Sequence, residues 1–183
     1  GKRIKVIDIH VMSINDDQLI EIVRGSVIWL LKTDDTKGKV WIPDEWNLTP
    51  PSEDMPFFDE STLDNPGHQN PIWETLDPET GQQFNLSHQK EKTSPKTAWI
   101  RETHEFIKNE ETSPLLRVAQ LADYANPLAN FSNLGLEYIN VDVTLYLQRN
   151  PLSSWIGVET LYHGAAKGVS VGSMNIYDSM GRI

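Results

Sequence analysis

The sequence predicts an α+β fold in which a mostly antiparallel sheet wraps around one long helix. Three observations support this: a strong helix start at Ser113-Pro114, an alternating segment from Tyr138 to Arg149, and a strand-turn-strand pattern from Trp155 to Tyr177. A helix with one apolar stripe buries that stripe against a neighbouring layer, and here the following strands supply the layer.

The predicted helix begins with serine as N-cap and proline at the first helical position. Residues at helical spacing then form one apolar stripe: Leu115, Val118, Ala119, Ala122, Ala125 and Ala129. The small alanines would let the helix approach a sheet closely. Pro127 disfavours helical geometry at the residue before it, so we expect the helix to end or kink at Asn126.

Strands are predicted after the helix. From Tyr138 to Arg149, apolar and polar residues alternate, which is typical of a long antiparallel strand. The pattern continues as a turn, a strand, a turn, a strand and a final turn: Asn150–Ser153, Trp155–Tyr162, Gly164–Gly168, Val169–Tyr177 and Asp178–Gly181. Together these segments predict a meander that packs on the helix.

The N-terminal half is organised differently. Ile4 to Ile14 and Leu19 to Leu31 are predicted strands of a hairpin, which needs more sheet or a helix to cover it. Between Thr33 and Thr97, many prolines favour a linker, with Thr97 to Thr103 as a further strand. The aromatic residues of this linker are expected to pin it to a domain: Trp41, Trp46, Phe57, Phe58 and Trp73.

Composition limits the function classes. A chain of 183 residues suggests one domain, or one and part of a second. The formal net charge of -10 argues against nucleic acid or an anionic membrane surface as partner, because both require a basic field. No apolar run has the roughly 18 residues of a membrane-spanning helix. The absence of cysteine fits a reducing compartment, so we expect a cytoplasmic protein.

A buried helix followed by an antiparallel meander is the second part of a hot-dog fold, and the chain resembles the double hot-dog acyl-CoA thioesterases. The segments that carry the resemblance occur in the family's order: Thr97-Ala98-Trp99-Ile100-Arg101, Ser113-Pro114-Leu115, Ala122-Asp123-Tyr124-Ala125-Asn126, Tyr138-Ile139-Asn140-Val141-Asp142-Val143-Thr144, Gln148-Arg149, Trp155-Ile156, Tyr177-Asp178 and Gly181-Arg182. The resemblance covers the C-terminal half, and residues up to Leu31 resemble the closing strands of the family's first unit.

The resemblance implies three regions: closing strands of a first hot-dog unit at 1–35, a proline-rich linker at 36–70 and a second unit at 71–183. In the family, a helix aspartate, a Thr or Asn on the next strand and a last-strand glutamine orient the attacking water. Asp123 matches the aspartate and Asn140 the strand position. The glutamine position would lie beyond Ile183, so we expect this chain to be a fragment that lacks the last strand.

The chemistry of these side chains supports the implied site. Asp123 flanks the apolar stripe, where a partly desolvated carboxylate activates water; a solvated surface aspartate is the alternative. Asn126 is expected either to cap the helix or to contact the substrate. Asn140 and Thr144 would bind water or the acyl carbonyl, or form the polar face of a half-buried sheet. Arg149 would meet a CoA phosphate, or simply end a strand.

A rival motif is Gly168-Val169-Ser170-Val171-Gly172, which fits the G-x-S-x-G nucleophile elbow. An elbow requires a helix after the serine, whereas the sequence continues as a strand, so we expect the glycines to allow close backbone approach. The five histidines, among them His163, show no metal-ligand spacing, and each is interpreted as structural or exposed.

We therefore predict a thioesterase that hydrolyses a fatty acyl-CoA to free acid and CoA, with Asp123 orienting water and Asn140 assisting. Asn126, Thr144 and Arg149 are the predicted substrate contacts, and no metal or cofactor is expected. The alternative is a non-catalytic hot-dog module that binds acyl chains or builds an oligomer. In either case, unpaired sheet edges predict a homo-oligomer.

Overall fold

A computed structural model describes residues 4–15, 18–31, 48–57, 73–83, 96–132 and 134–183. The chain divides into two units, Gly1–Pro43 and Asp44–Ile183. Within the described residues, no helix has the length and apolar character needed to cross a membrane.

The first unit contains a long hairpin. Strand β1 (Ile4–Asn15) pairs antiparallel with β2 (Gln18–Leu30), with a bulge between Val11 and Met12. Both predicted strands are confirmed, whereas Asp16 and Asp17 of the predicted turn lie outside the described residues. Nearly all side chains of the hairpin are exposed, including apolar ones on both faces.

The second unit combines one antiparallel sheet with a helical segment. Its elements in chain order are β3 (Trp73–Leu76), β4 (Thr97–Glu102), α1 (Pro114–Leu121), α2 (Ala125–Asn130), β5 (Phe131–Ser132), β6 (Gly135–Leu136), β7 (Ile156–Ala166), β8 (Val169–Asp178) and β9 (Gly181–Arg182). The sheet has the order β3-β4-β7-β8-β9, and β5 pairs with β6 alone. This architecture confirms the predicted α+β class with an antiparallel sheet, and it is compatible with a hot-dog fold.

The helical segment starts as predicted but is interrupted earlier. The Ser113 hydroxyl accepts a hydrogen bond from the Leu116 N–H at 3.2 Å, as an N-cap does. A 3₁₀ turn, Ala122–Tyr124, then separates α1 from α2. The interruption therefore precedes Asn126. Pro127 fits inside the first turn of α2, where a backbone N–H would have no intrahelical partner.

The helix buries a slightly rotated stripe. Val118, Leu121 and Leu128 are at most 1% exposed and pack in the same core cluster as Ile156 and Val158 of β7. Two members of the predicted stripe, Leu115 and Ala119, are instead exposed. Leu121 and Leu128 fill the core in place of Leu115 and Ala119, and their burial stabilises this rotation of the helix.

The predicted strand from Tyr138 to Arg149 does not form, which corrects the clearest pattern in the sequence. This 138–149 segment has no regular secondary structure, and Ile139 and Val141 are 88% and 90% exposed. Only Leu145 and Leu147 pack against the core. A strand requires a neighbour with free backbone groups along its length. In the described part of the chain, the nearby sheet edge is β9, which is two residues long.

The β7–β8 hairpin is longer than predicted. Its turn consists of Lys167 and Gly168, whose φ angles of 51° and 82° suit a two-residue hairpin turn. Ser170 lies within β8, so the strand context contradicts the nucleophile elbow. The alternative expectation was that the glycines of this motif allow close backbone approach. Gly172 does so, because a Cβ there would lie 2.5 Å from the Ala129 Cβ of the helix.

The linker region contributes more structure than predicted. Strand β3 forms in the predicted proline-rich region and places Trp73 at its start. Met55 packs on a second core cluster of Leu76, Trp99 and Trp155. Phe57 is one of the aromatic residues predicted to hold the linker against a domain, and its ring centroid lies 4.3 Å from the Arg101 guanidinium carbon. Three other aromatic residues of that prediction lie outside the described residues: Trp41, Trp46 and Phe58.

Candidate functional site

The candidate site lies where the helical segment meets the start of the 138–149 segment. Asn140 Nδ2 donates a hydrogen bond to Asp123 Oδ1. Asn126 Nδ2 donates to the backbone carbonyl oxygen of Tyr138 at 3.3 Å. Because Asp123 and Asn126 are three residues apart, they share one side of the helical segment. The two contacts therefore fasten the segment to the helix at neighbouring points.

The local backbone explains why these polar groups meet. Asp123 lies in the 3₁₀ turn and Asn126 in the first turn of α2. The segment from Tyr138 onward is free of any sheet ladder, so its polar groups bond to the helix side chains instead.

The contact between Asp123 and Asn140 is open to solvent. Both side chains are exposed, which differs from the partly desolvated aspartate expected from the sequence. An exposed carboxylate reaches water readily, but it lacks the low-dielectric surroundings that strengthen electrostatic catalysis. The arrangement can bind a water molecule, and a substrate that covers it would supply the missing desolvation.

A polar network that the sequence did not reveal continues from Asn126. Asn130 Nδ2 donates to Asn126 Oδ1 at 2.6 Å, and His163 Nδ1 lies 2.8 Å from Asn130 Oδ1. The ring of His163 also lies 6.2 Å from that of Tyr138. Asn130 lies one helical turn after Asn126, so helical spacing in the sequence could have indicated it. His163 on β7 gave no signal, because only the fold brings it to the helix.

The residue after Asp123 belongs to an aromatic pair. Tyr124 packs edge-on against Trp73, with ring centroids 5.8 Å apart. Burial raises the pKa of Tyr124 to about 12, so its hydroxyl stays protonated at neutral pH. Tyr124 therefore contributes aromatic surface to the core cluster rather than a titrating group near neutral pH.

The structure does not bring the two remaining predicted residues to Asp123. Thr144 is exposed, and no described hydrogen bond connects it to the aspartate. The Arg149 guanidinium bonds to both carboxylate oxygens of Asp178, at 2.5 and 2.7 Å, and to the Gly181 carbonyl at 3.2 Å. A CoA phosphate would have to compete with this ion pair, so both assignments remain predictions.

The Arg149–Asp178 pair is a buried clamp. The Asp178 side chain is fully buried and also accepts from the backbone N–H groups of Leu152 and Met180. Burial alone raises the pKa of Asp178, but the hydrogen bonds from Arg149 and the two N–H groups outweigh it and hold that pKa below its usual range. These partners stabilise the ionised carboxylate.

Among the described residues, no group of three or more His, Asp or Glu side chains could hold a metal ion.

Comparison with known proteins connects this geometry to a family. Residues 50–183 match the family described as the acyl-CoA thioesterase C-terminal domain. No curated protein and no solved structure matches the chain. The match covers well over half of the chain and includes Asp123, Asn126 and Asn140.

Proposed function

Because the chain belongs to the acyl-CoA thioesterase C-terminal domain family, we propose that it hydrolyses a fatty acyl-CoA to a free acid and CoA. The family supports thioester hydrolysis in general, and it agrees with the resemblance drawn from the sequence. The observation that carries the assignment to residues is the hydrogen bond from Asn140 to Asp123.

In the proposed mechanism, Asp123 is the catalytic base. Asn140 holds Oδ1 of the carboxylate, and Oδ2 accepts a proton from the attacking water. The water oxygen adds to the thioester carbonyl carbon. The carbon–sulfur bond then breaks, the protonated Asp123 gives its proton to the CoA sulfur and is thereby regenerated as a carboxylate, and the acyl group leaves as the acid. Water and thioester are thereby converted into one carboxylic acid and one thiol.

Negative charge develops on the carbonyl oxygen during this addition and requires a donor. The amide nitrogens of Asn126 and Asn140 each carry a second N–H besides the one already engaged. We assign the oxyanion contact to these two groups. The aromatic surface of Tyr124 and Trp73 is the proposed contact for the first part of the acyl chain.

The test is CoA release by the purified full chain from acyl-CoAs of several chain lengths. We expect Asp123→Asn, which preserves size but removes the base, to lower kcat by a factor of roughly 100 or more. Asp142→Asn is the matched control, because it removes another exposed carboxylate from the 138–149 segment. Equal rates for wild type and Asp123→Asn would show that Asp123 is not the base.

The exposure of Asp123 and Asn140 favours a second candidate, a non-catalytic module that binds acyl chains or builds an oligomer. An acyl-binding module would bind a non-hydrolysable acyl-CoA analogue without releasing CoA from the true thioester, and a module that only builds an oligomer would do neither. The two candidates are therefore separated by measuring binding and hydrolysis on the same preparation.

We also propose that β1 and β2 are closing strands of a first hot-dog unit, which would give a double hot-dog arrangement. Their support is the exposed apolar surface of the hairpin, exemplified by Ile14 at 76% and Leu19 at 66% exposure. An uncovered two-stranded hairpin is marginal in water, so we expect the chain to self-associate. Sedimentation as a stable 20.8 kDa monomer would contradict the proposed oligomer.

The cysteine-free sequence supports a cytoplasmic location.

A further inference from the structure

Three side chains form a hydrogen-bonded relay that ends at the candidate site. His163 of β7 contacts Asn130, Asn130 contacts Asn126, and Asn126 reaches the backbone of Tyr138. Tyr138 lies two residues before Asn140, which bonds to the proposed base. The relay thus connects the sheet to the part of the 138–149 segment that holds Asp123.

The chemistry of the groups fixes the direction of this relay. A backbone carbonyl only accepts, so Asn126 must turn its NH₂ group toward Tyr138 and its oxygen toward Asn130. Asn130 must then donate to Asn126 and turn its own oxygen toward His163. Nδ1 of His163 therefore has to carry a hydrogen, either in the Nδ1–H tautomer or in the protonated ring.

The reverse arrangement is excluded by repulsion. If the His163 ring presented a lone pair at Nδ1, both amides would have to flip, and the Asn126 oxygen would face the Tyr138 carbonyl oxygen. Two acceptors at the 3.3 Å separation of this contact repel each other. An intact relay consequently determines the orientation of both amide groups.

A glycine lies where the relay passes closest to the sheet. Gly172 on β8 is the register partner of His163, and a Cβ at Gly172 would lie 3.8 Å from Asn130 Nδ2 and 2.5 Å from the Ala129 Cβ. A side chain there would push the end of α2 away from the sheet. The glycine thus permits Asn130 to come within hydrogen-bonding distance of His163.

We propose that His163 is a positioning residue of the candidate thioesterase site, acting through Asn130 and Asn126 to hold the Tyr138 backbone. The role rests on the proposed function, since it concerns the same site. Loss of His163 frees Asn130 and Asn126 to rotate, so the start of the 138–149 segment loses one of its two hydrogen bonds to helix side chains. Asn140 then holds Asp123 less often in the active geometry.

The test compares two substitutions in the full chain. His163→Phe keeps a flat ring beside Tyr138 but removes the donor, and we expect kcat to fall about fivefold with KM changed less than about twofold. His163→Asn places an amide NH₂ near the former Nδ1, and we expect it to restore kcat to within about twofold of wild type. His104→Phe, at an exposed histidine outside the site, is the matched control.

A spectroscopic measurement tests the relay without relying on activity. In ¹⁵N NMR spectra of the neutral wild-type ring, His163 should show a hydrogen on Nδ1, and a ring protonated only at Nε2 would overturn the relay. Wild-type kcat in His163→Phe, or failure of His163→Asn to restore it, would overturn the positioning role. If wild type releases no CoA, the proposed function and the positioning role both fail, while the NMR result still decides whether the relay exists.

Discussion

The two ends of the 138–149 segment are held by different kinds of contact. At its start, Asn140 and the Tyr138 backbone bond to helix side chains at the surface. At its end, Arg149 forms an ion pair with Asp178, whose side chain is fully buried. The same stretch of chain is therefore fastened loosely at one end and tightly at the other.

Burial explains what each end contributes. An exposed hydrogen bond adds little to stability, because water replaces it when it breaks. A buried charge that loses its partner has no such replacement and is strongly destabilising. The buried end therefore anchors the segment, and the exposed end is where side chains remain accessible to water and substrate.

The largest expected effect on stability comes from breaking the buried end. Arg149→Met leaves the Asp178 carboxylate without its cation, and we expect the free energy of unfolding to fall by about 3–5 kcal/mol. Denaturant unfolding measures the change. Lys108→Met removes an exposed cation and should stay within about 0.5 kcal/mol of wild type. A similarly small change in Arg149→Met would show that the clamp is not an anchor.

An intermediate effect is expected from acid. The pKa of Asp178 in the folded protein is lowered from its usual 3.8, so its contribution to stability is complete above that value. As pH falls through the lower folded-state pKa, the carboxylate takes up a proton and the ion pair is lost. The stability difference between wild type and Arg149→Met should therefore shrink in that range. If the difference in unfolding free energy between wild type and Arg149→Met stayed constant until the protein unfolds in acid, protonation of Asp178 would not be what removes the ion pair's contribution.

The sequence predicted those elements whose signals are local. The Ser113-Pro114 start, β4 and the turn after Asp178 depend on residues adjacent in the chain, and the structure contains all three. The alternation of apolar and polar residues in the 138–149 segment was misleading. Alternation indicates which face of a strand each side chain would occupy, but it does not show whether a neighbouring strand is available to pair with. Strand β3 was missed because prolines in its region favoured a linker.

The sequence indicated the residues of the candidate site only in part. Asp123 and Asn140 were chosen through the family resemblance, and the structure places them in contact. His163 was not predictable, because the register shift between Thr160 and Tyr162 changes which side of β7 the later residues face. Contacts that depend on such a shift cannot be obtained from alternation along the strand.

The smallest expected effect on stability comes from the exposed end. Asn140→Ala removes one surface hydrogen bond, so we expect the free energy of unfolding to change by less than about 0.5 kcal/mol. Its activity should nevertheless fall about tenfold, because the lost bond holds a charged carboxylate. Asn150→Ala, another exposed asparagine, should change neither quantity. If Asn140→Ala destabilised the protein as much as Arg149→Met, both ends would be anchors, and surface accessibility would no longer distinguish the proposed site from the clamp.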